Sequence, residues 1–336
     1  MRRYLSFIAF VGIFSCAEKE GGFNGKNTET FGHPYRTDSI ILKPIKFQPE
    51  VVSTKIDKYN TSFSPDGNTM YYTVTSQKLG VTGIAFQKFE NGRFRRPEFV
   101  PFVSADIPMT DVQISPNGDL MLFSTFMDYE GKPEGFNFNI WTSELTNGEW
   151  QRPVPMGYPI SSTGNEFYPV MINDGSIYFC SDKDGNSDIY KSQLENGQYQ
   201  QPTKLPDNIN SVSREADAFV ARDESYIIFV RVDEPDGFGN SDLYISFRIN
   251  ENEWTAPVNM GEEVNSRQID GSPYVTPDEK YLIFTSNRTS DDIKKRAIKS
   301  YGDFETVTSS SDNGSLNFYI VNFNLKKYKN DVFTKN

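Results

Sequence analysis

Five stretches of the chain share one form and decide its fold: TSFSPDGNTMYYT (61–73), VQISPNGDLMLFS (112–124), PVMINDGSIYFCS (169–181), AFVARDESYIIFV (218–230) and PYVTPDEKYLIFT (273–285). Each reads as a short strand, a turn carrying Asp or Asn, and a strongly apolar second strand. Pro presets φ for such a turn, and Asp, Asn and Gly accept its backbone angles. The second strand holds an aromatic at a fixed place: Tyr72, Phe123, Phe179, Phe229 and Phe284. An apolar run of this length is expected to be buried on both faces.

A third strand follows in every unit: GIAFQKF (83–89), FNIWTSEL (138–145), SDIYKSQL (187–194), SDLYISFR (241–248) and NFYIVNF (317–323). A fourth follows in only four units, marked by an aromatic, two residues and a proline: Phe94/Pro97, Trp150/Pro153, Tyr199/Pro202 and Trp254/Pro257. Proline is tolerated best at a sheet edge, so this strand is placed outermost. Four strands repeating at about fifty residues make a propeller blade. The fifth unit lacks its outer strand, and the spacing of the marker prolines points to Pro44, inside IILKPIKF (40–47), as the missing one. The expected fold is therefore all-β: a five-bladed β-propeller of four-stranded antiparallel blades, the last closed by the N-terminal strand so that no sheet edge stays free.

The lines SFSPDGNTMYY, SDKDGNSDIY and WTAPVNMGEEVNS resemble the WD40-like propeller repeats of TolB-like proteins and of Bacteroidota envelope lipoproteins. The resemblance covers about residues 40 to 325 and implies fold, since such propellers serve as scaffolds, peptide binders and enzymes alike. The third and fourth turns, MINDG and VARDE, depart from the SPDG signature without disturbing the spacing.

Composition narrows the chemistry. Aromatics form 14% of the 336 residues, a bias toward pleated strands. The net charge is −11 and the basic residues form no stripe, which makes nucleic acid a poor partner. The sole histidine, His33, precedes the first repeat, so a Ser-His-Asp triad or a histidine-rich zinc site inside the propeller is excluded. The cysteines are Cys16 and Cys180.

Arg2 and Arg3 precede an apolar run from Tyr4 to Phe14, then Ser15 and Cys16. The run is too short to span a bilayer and has the size of a signal-peptide core. It resembles a bacterial lipoprotein signal with Cys16 as the lipidated residue, although bulky Phe14 departs from the pattern; an ordinary secretory signal cut nearby is the alternative. The expected domains are a signal peptide over 1–15, a polar, Gly-containing tether over 16–38, the propeller over 39–325 and a C-terminal tail over 326–336. These resemblances imply a chain at the outer membrane, lipid-anchored on the surface or the periplasmic face, with an envelope protein or polysaccharide as the expected partner.

Thirteen residues on from each marker proline fall Asp57, Glu166, Glu215 and Asp270; in the second unit the count gives Thr110, with Asp111 next. All five acids are expected just before the innermost strand, which lines the channel of a propeller. One reading is structural: each acid accepts backbone N–H groups in a loop between blades. The other is a carboxylate ring at the channel mouth, serving glycoside hydrolysis by acid–base pairs, a divalent cation, or the basic end of a peptide. Arg231 and Arg288, after the second strands of the fourth and fifth units, are the one hint of an asymmetric pocket. A second constellation, SDKDGNSD (181–188), alternates Asp182, Asp184, Asn186 and Asp188 as a calcium loop does, but its glycine comes one place early and no bidentate Glu follows. A hairpin turn with Asx hydrogen bonds is the competing reading, and no other cofactor is expected. The fifth unit also carries a long insert, Asn287 to about Ser315, readable as a surface loop, a lid or a partner-binding loop. The favoured function is a non-catalytic binding propeller, with a carbohydrate-active enzyme as the alternative.

Overall fold

The computed structural model describes residues 33–333 apart from 38, 133, 134, 136 and 290–297. Cys16, the signal peptide and nearly all of the tether lie outside the described residues.

Five antiparallel sheets stand around a central channel as the expected propeller. From the channel outward, blade 1 runs Asp57–Phe63, Thr69–Ser76, Val81–Glu90 and a broken outer strand, Arg93–Phe94 with Glu98–Phe99. Blades 2, 3 and 4 repeat the order from inner strands Met109–Ile114, Glu166–Met171 and Glu215–Val220. Blade 5 runs Asp270–Val275, Tyr281–Ser286 and Asn317–Asn322, and its fourth strand is Ile45–Lys46, with Ile45 opposite Ile320 and Lys46 opposite Tyr319. The ring is thus closed by the start of the chain. The closing ladder is shorter than the apolar segment 40–47. Pro44 has no N–H to donate, and upstream of it only single bonds continue, such as Asn322 N–H to the Ile41 carbonyl at 3.0 Å.

The second strands explain why the blades associate. Tyr226, Ile228 and Val230 face blade 5, while Ile227 and Phe229, on the opposite pleat, face blade 3. The same alternation yields five apolar clusters, one at each junction between neighbouring blades, the junction of blades 5 and 1 included. The marker aromatics Tyr72, Phe123, Phe179, Phe229 and Phe284 are all at most 1% exposed, each worth roughly 1.5–3 kcal/mol of burial.

Two elements differ from the sequence expectation. The stretch assigned to a C-terminal tail is a helix, α2 (Leu325–Phe333), which buries Tyr328 and Val332 in the cluster between blades 4 and 5. The insert of blade 5 contains the exposed helix α1 (Tyr301–Thr308), started by a capping box between Ser300 and Asp303. Beyond it the Ser-rich part folds onto the closing segment: Ser311 N–H donates to Glu50 Oε1 at 2.8 Å, and Lys46 pairs with Asp312 at 2.6 Å.

Each inner strand breaks its ladder at one bulge, and the residue there has a left-handed backbone: Asn60 (φ 49°), Asp111 (59°), Tyr168 (49°), Asp217 (51°) and Ser272 (46°). These five residues occupy one position in the repeat and set the register of everything at the channel.

Candidate functional site

Aligned on the bulge, the residue two places earlier is Lys58 in blade 1, Met109 in blade 2, Glu166 in blade 3, Glu215 in blade 4 and Asp270 in blade 5. The acids picked out by counting from the prolines therefore fall at three positions of the repeat. Glu166, Glu215 and Asp270 share a position and are completely buried, each turned back into its own inter-blade loop. A hydroxyl four residues earlier donates to each: Ser162 to Glu166, Ser211 to Glu215 at 2.6 Å, and Ser266 to Asp270 at 2.8 Å, the last joined by the Ser266 N–H at 2.6 Å. A second partner comes from the second strand: Ser181 for Glu166 at 3.3 Å and Arg231 for Glu215 at 3.2 Å. Asp270 is paired with Arg288, which stands just beyond its strand. Buried carboxylates demand such donors. In Glu166, which has no cationic partner, burial outweighs the hydroxyls and pushes the pKa up to about 7. Arg231 and Arg288 are committed to these pairs and to the carbonyls of Asn208, Ile209 and Val264. Asp57, one residue ahead of the shared position, is half-buried and accepts the Leu316 N–H at 2.8 Å.

Asp111 stands at the bulge position itself, together with an acid the sequence count did not reach, Asp217. Thr110 Oγ1 donates to Asp111 at 2.8 Å and stands 3.0 Å from the Tyr59 hydroxyl. The Ser272 N–H donates to Asp217 at 3.0 Å, and the Ser272 hydroxyl lies 2.8 Å from that of Tyr168. Gly271 makes room for this contact, since a Cβ there would stand 3.0 Å from Asp217 Oδ2. Burial raises Asp111 to about 7 and Asp217 to about 6; Asp217 pushes Asp111 further up, and both carboxylates do the same to Tyr59 and Tyr168. Cys180, buried nearby, has its thiol pushed well up by the same burial. No reactive thiolate forms there.

The alternating acids of the third blade do not converge. Asp182 accepts the N–H and side-chain amide of Asn165, Asp184 pairs with Lys183 and Tyr190, Asn186 donates to the Ser213 carbonyl, and Asp188 pairs with Lys204 at 2.7 Å. Among the described residues no three acidic, histidine or cysteine side chains gather as a metal site.

The sequence reading missed Lys58. It stands where the other blades carry Glu166, Glu215 and Asp270, it is 4% exposed, and it lies at the base of a cleft of about 530 Å³ beside blade 1. The signal was present as an inverted charge at a repeat position, visible only after alignment on the bulge.

The sequence matches no family model and no curated protein. Solved structures with a similar chain path include TolB from Acinetobacter baumannii, with a TM-score of 0.47 and 17% identity over 80% of this chain and 55% of that one. A putative TolB from Agrobacterium tumefaciens gives 0.45 and 17% over 80% of this chain and 91% of that one. A thermostable family-43 glycoside hydrolase gives 0.47 and 11% over 81% and 91%. This chain thus spans little more than half the length of the Acinetobacter protein. TolB-like proteins and glycoside hydrolases both stand among the matches.

Proposed function

We propose that the protein is a non-catalytic binding module of the bacterial cell envelope, anchored through a lipidated Cys16, whose propeller takes an envelope protein or a polysaccharide. One observation carries the non-catalytic part. Glycoside hydrolysis needs two carboxylates facing each other across a substrate, roughly 5–10 Å apart. Glu166, Glu215 and Asp270 instead have no exposed surface, and each is held by a serine four residues earlier. Asp111 and Asp217 stand at the bulges, tied to Thr110 and Ser272 beside Tyr59 and Tyr168. Among the described residues no helix is long and apolar enough to cross a membrane.

The test uses the full-length protein extracted from membranes. Mass spectrometry should find an acylated Cys16. The same preparation should be retained on envelope polysaccharide, or cross-link to one envelope protein, without releasing reducing sugar. An unmodified Cys16 sinks the anchor. Sugar release that disappears in Glu215→Gln sinks the non-catalytic reading.

A further inference from the structure

Lys58 is a buried charge with no carboxylate in contact, Asp57 and Glu50 acting on it only from farther off. In its layer Glu215 has Arg231 and Asp270 has Arg288, but Lys58 Nζ donates to Thr54 Oγ1 at 2.5 Å and reaches the Ile56 carbonyl only at 3.5 Å. Among the described residues no carboxylate comes within ion-pair reach of it, and an ammonium has three protons to place. A lysine this buried is rare unless paired. Burial pushes its pKa down to about 8, so near neutral pH the cleft still holds a positive charge.

The cleft above Lys58 is of ligand size and walled largely by carbon, from Tyr72, Val74, Ala85, Phe94 and Phe99. Phe99 is 54% exposed, so the cleft's apolar lining includes both buried and solvent-facing rings. Charge at the mouth is mixed. Arg95 is paired with Glu90 and Glu50 holds the Ser311 N–H, while Glu98 and the exposed Arg96 oppose one another in sign. Of the charged residues that line the cleft, Lys58 alone is buried against the apolar walls.

We infer that this cleft binds a small carboxylate carrying an apolar tail, its carboxylate on Lys58 Nζ and its tail along Val74, Ala85, Phe94 and Phe99. A bare inorganic anion gains nothing from those walls and loses its hydration against them. A neutral amphiphile leaves the ammonium unpaired. A carboxylate with an acyl-like tail satisfies both ends, and a charge-assisted hydrogen bond in a dry site is stronger than a neutral one. This ligand is distinct from the envelope partner proposed above, since the cleft lies on the flank of blade 1 and not at the channel.

Calorimetric titration of the full-length protein with decanoate, 1-decanol and inorganic phosphate near pH 7 tests the assignment. Decanoate should bind saturably, at least about tenfold more tightly than decanol, and phosphate should not compete. Lys58→Met keeps the unbranched shape and removes a buried charge, so it should melt at or above the wild-type temperature. It should still bind decanol while its preference for decanoate falls to about one. Phe99→Asp should weaken both ligands. Absence of saturable decanoate binding overturns the inference. So does a preference that survives in Lys58→Met, or phosphate binding as tight as decanoate.

Discussion

Glu166, Glu215 and Asp270 occupy one position in three consecutive blades, yet neutralising them should have unequal consequences. Glu166 is held by hydroxyls and an N–H and is already driven toward its protonated form. Glu166→Gln keeps most of those hydrogen bonds and should cost no more than about 1 kcal/mol. Glu215→Gln and Asp270→Asn strand Arg231 and Arg288, whose side chains are only 12% and 14% exposed. Removing one partner of a buried pair is expected to cost roughly 3 kcal/mol. Urea denaturation of the three variants should therefore separate Glu166→Gln from the other two. Equal losses in all three would mean that the arginine pairs contribute nothing, and a largest loss in Glu166→Gln would reverse the assignment.

Among the elements, what the sequence revealed and what it concealed have physical causes. Strands were legible because second-strand residues must be apolar on both pleats, and because the hairpin turn needs a left-handed residue. Gly67, Gly118 and Gly175 fill that place in blades 1–3, and Glu224 and Glu279 adopt it in blades 4 and 5. This is why the turns VARDE and TPDEK keep the spacing without a glycine. The acid layer was only half legible. A count from the prolines runs along loops whose lengths differ by a residue, whereas the bulge fixes the register through backbone geometry that has no sequence signature. The count therefore reached Asp57 in place of Lys58, and missed Asp217. Helix α2 did carry a signal, Leu325, Tyr328 and Val332 on one face, masked by the charged residues between them. The closing strand was found by the same proline spacing, and its contribution can be measured. Deleting residues 40–47 removes Phe47 and Ile41 from the cluster between blades 5 and 1 and leaves the edge of Asn317–Asn322 open. The lost burial alone predicts several kcal/mol and a tendency to self-associate through the bare edge. A truncated protein that melts with the full chain and stays monomeric would show that strand to be decoration.

At the scale of the whole molecule, the buried acids should make the propeller more stable in mild acid than at neutrality. Burial raises Glu166 and Asp111 to about 7 and Asp217 to about 6, from ordinary values of 4.5 for Glu and 3.8 for Asp. A carboxyl whose folded pKa is raised binds its proton more tightly in the native state, so its contribution is present below the unfolded pKa and is lost as pH rises through the folded one. All three groups act in the same direction between about pH 4 and pH 7. His33, lowered by its own burial, acts the other way but is a single, partly exposed group. Lys58, lowered to about 8, adds stability only as pH rises further, between about 8 and 10.5. The melting temperature should therefore fall as pH is raised from about 4.5 to 7.5. A net charge of −11 contributes self-repulsion of the same sign, and variants separate the two. Asp111→Asn with Asp217→Asn removes only the axial carboxylates, and asparagine tolerates the left-handed backbone that both positions require. The double variant should melt above the wild type at pH 7.5 and show a flatter pH profile. If instead its profile runs parallel to that of the wild type, general repulsion governs the pH response. A wild-type melting temperature that climbs from pH 4.5 to 7.5 would mean that the channel acids are ionised in the folded protein, with donors at the axis strong enough to hold them so.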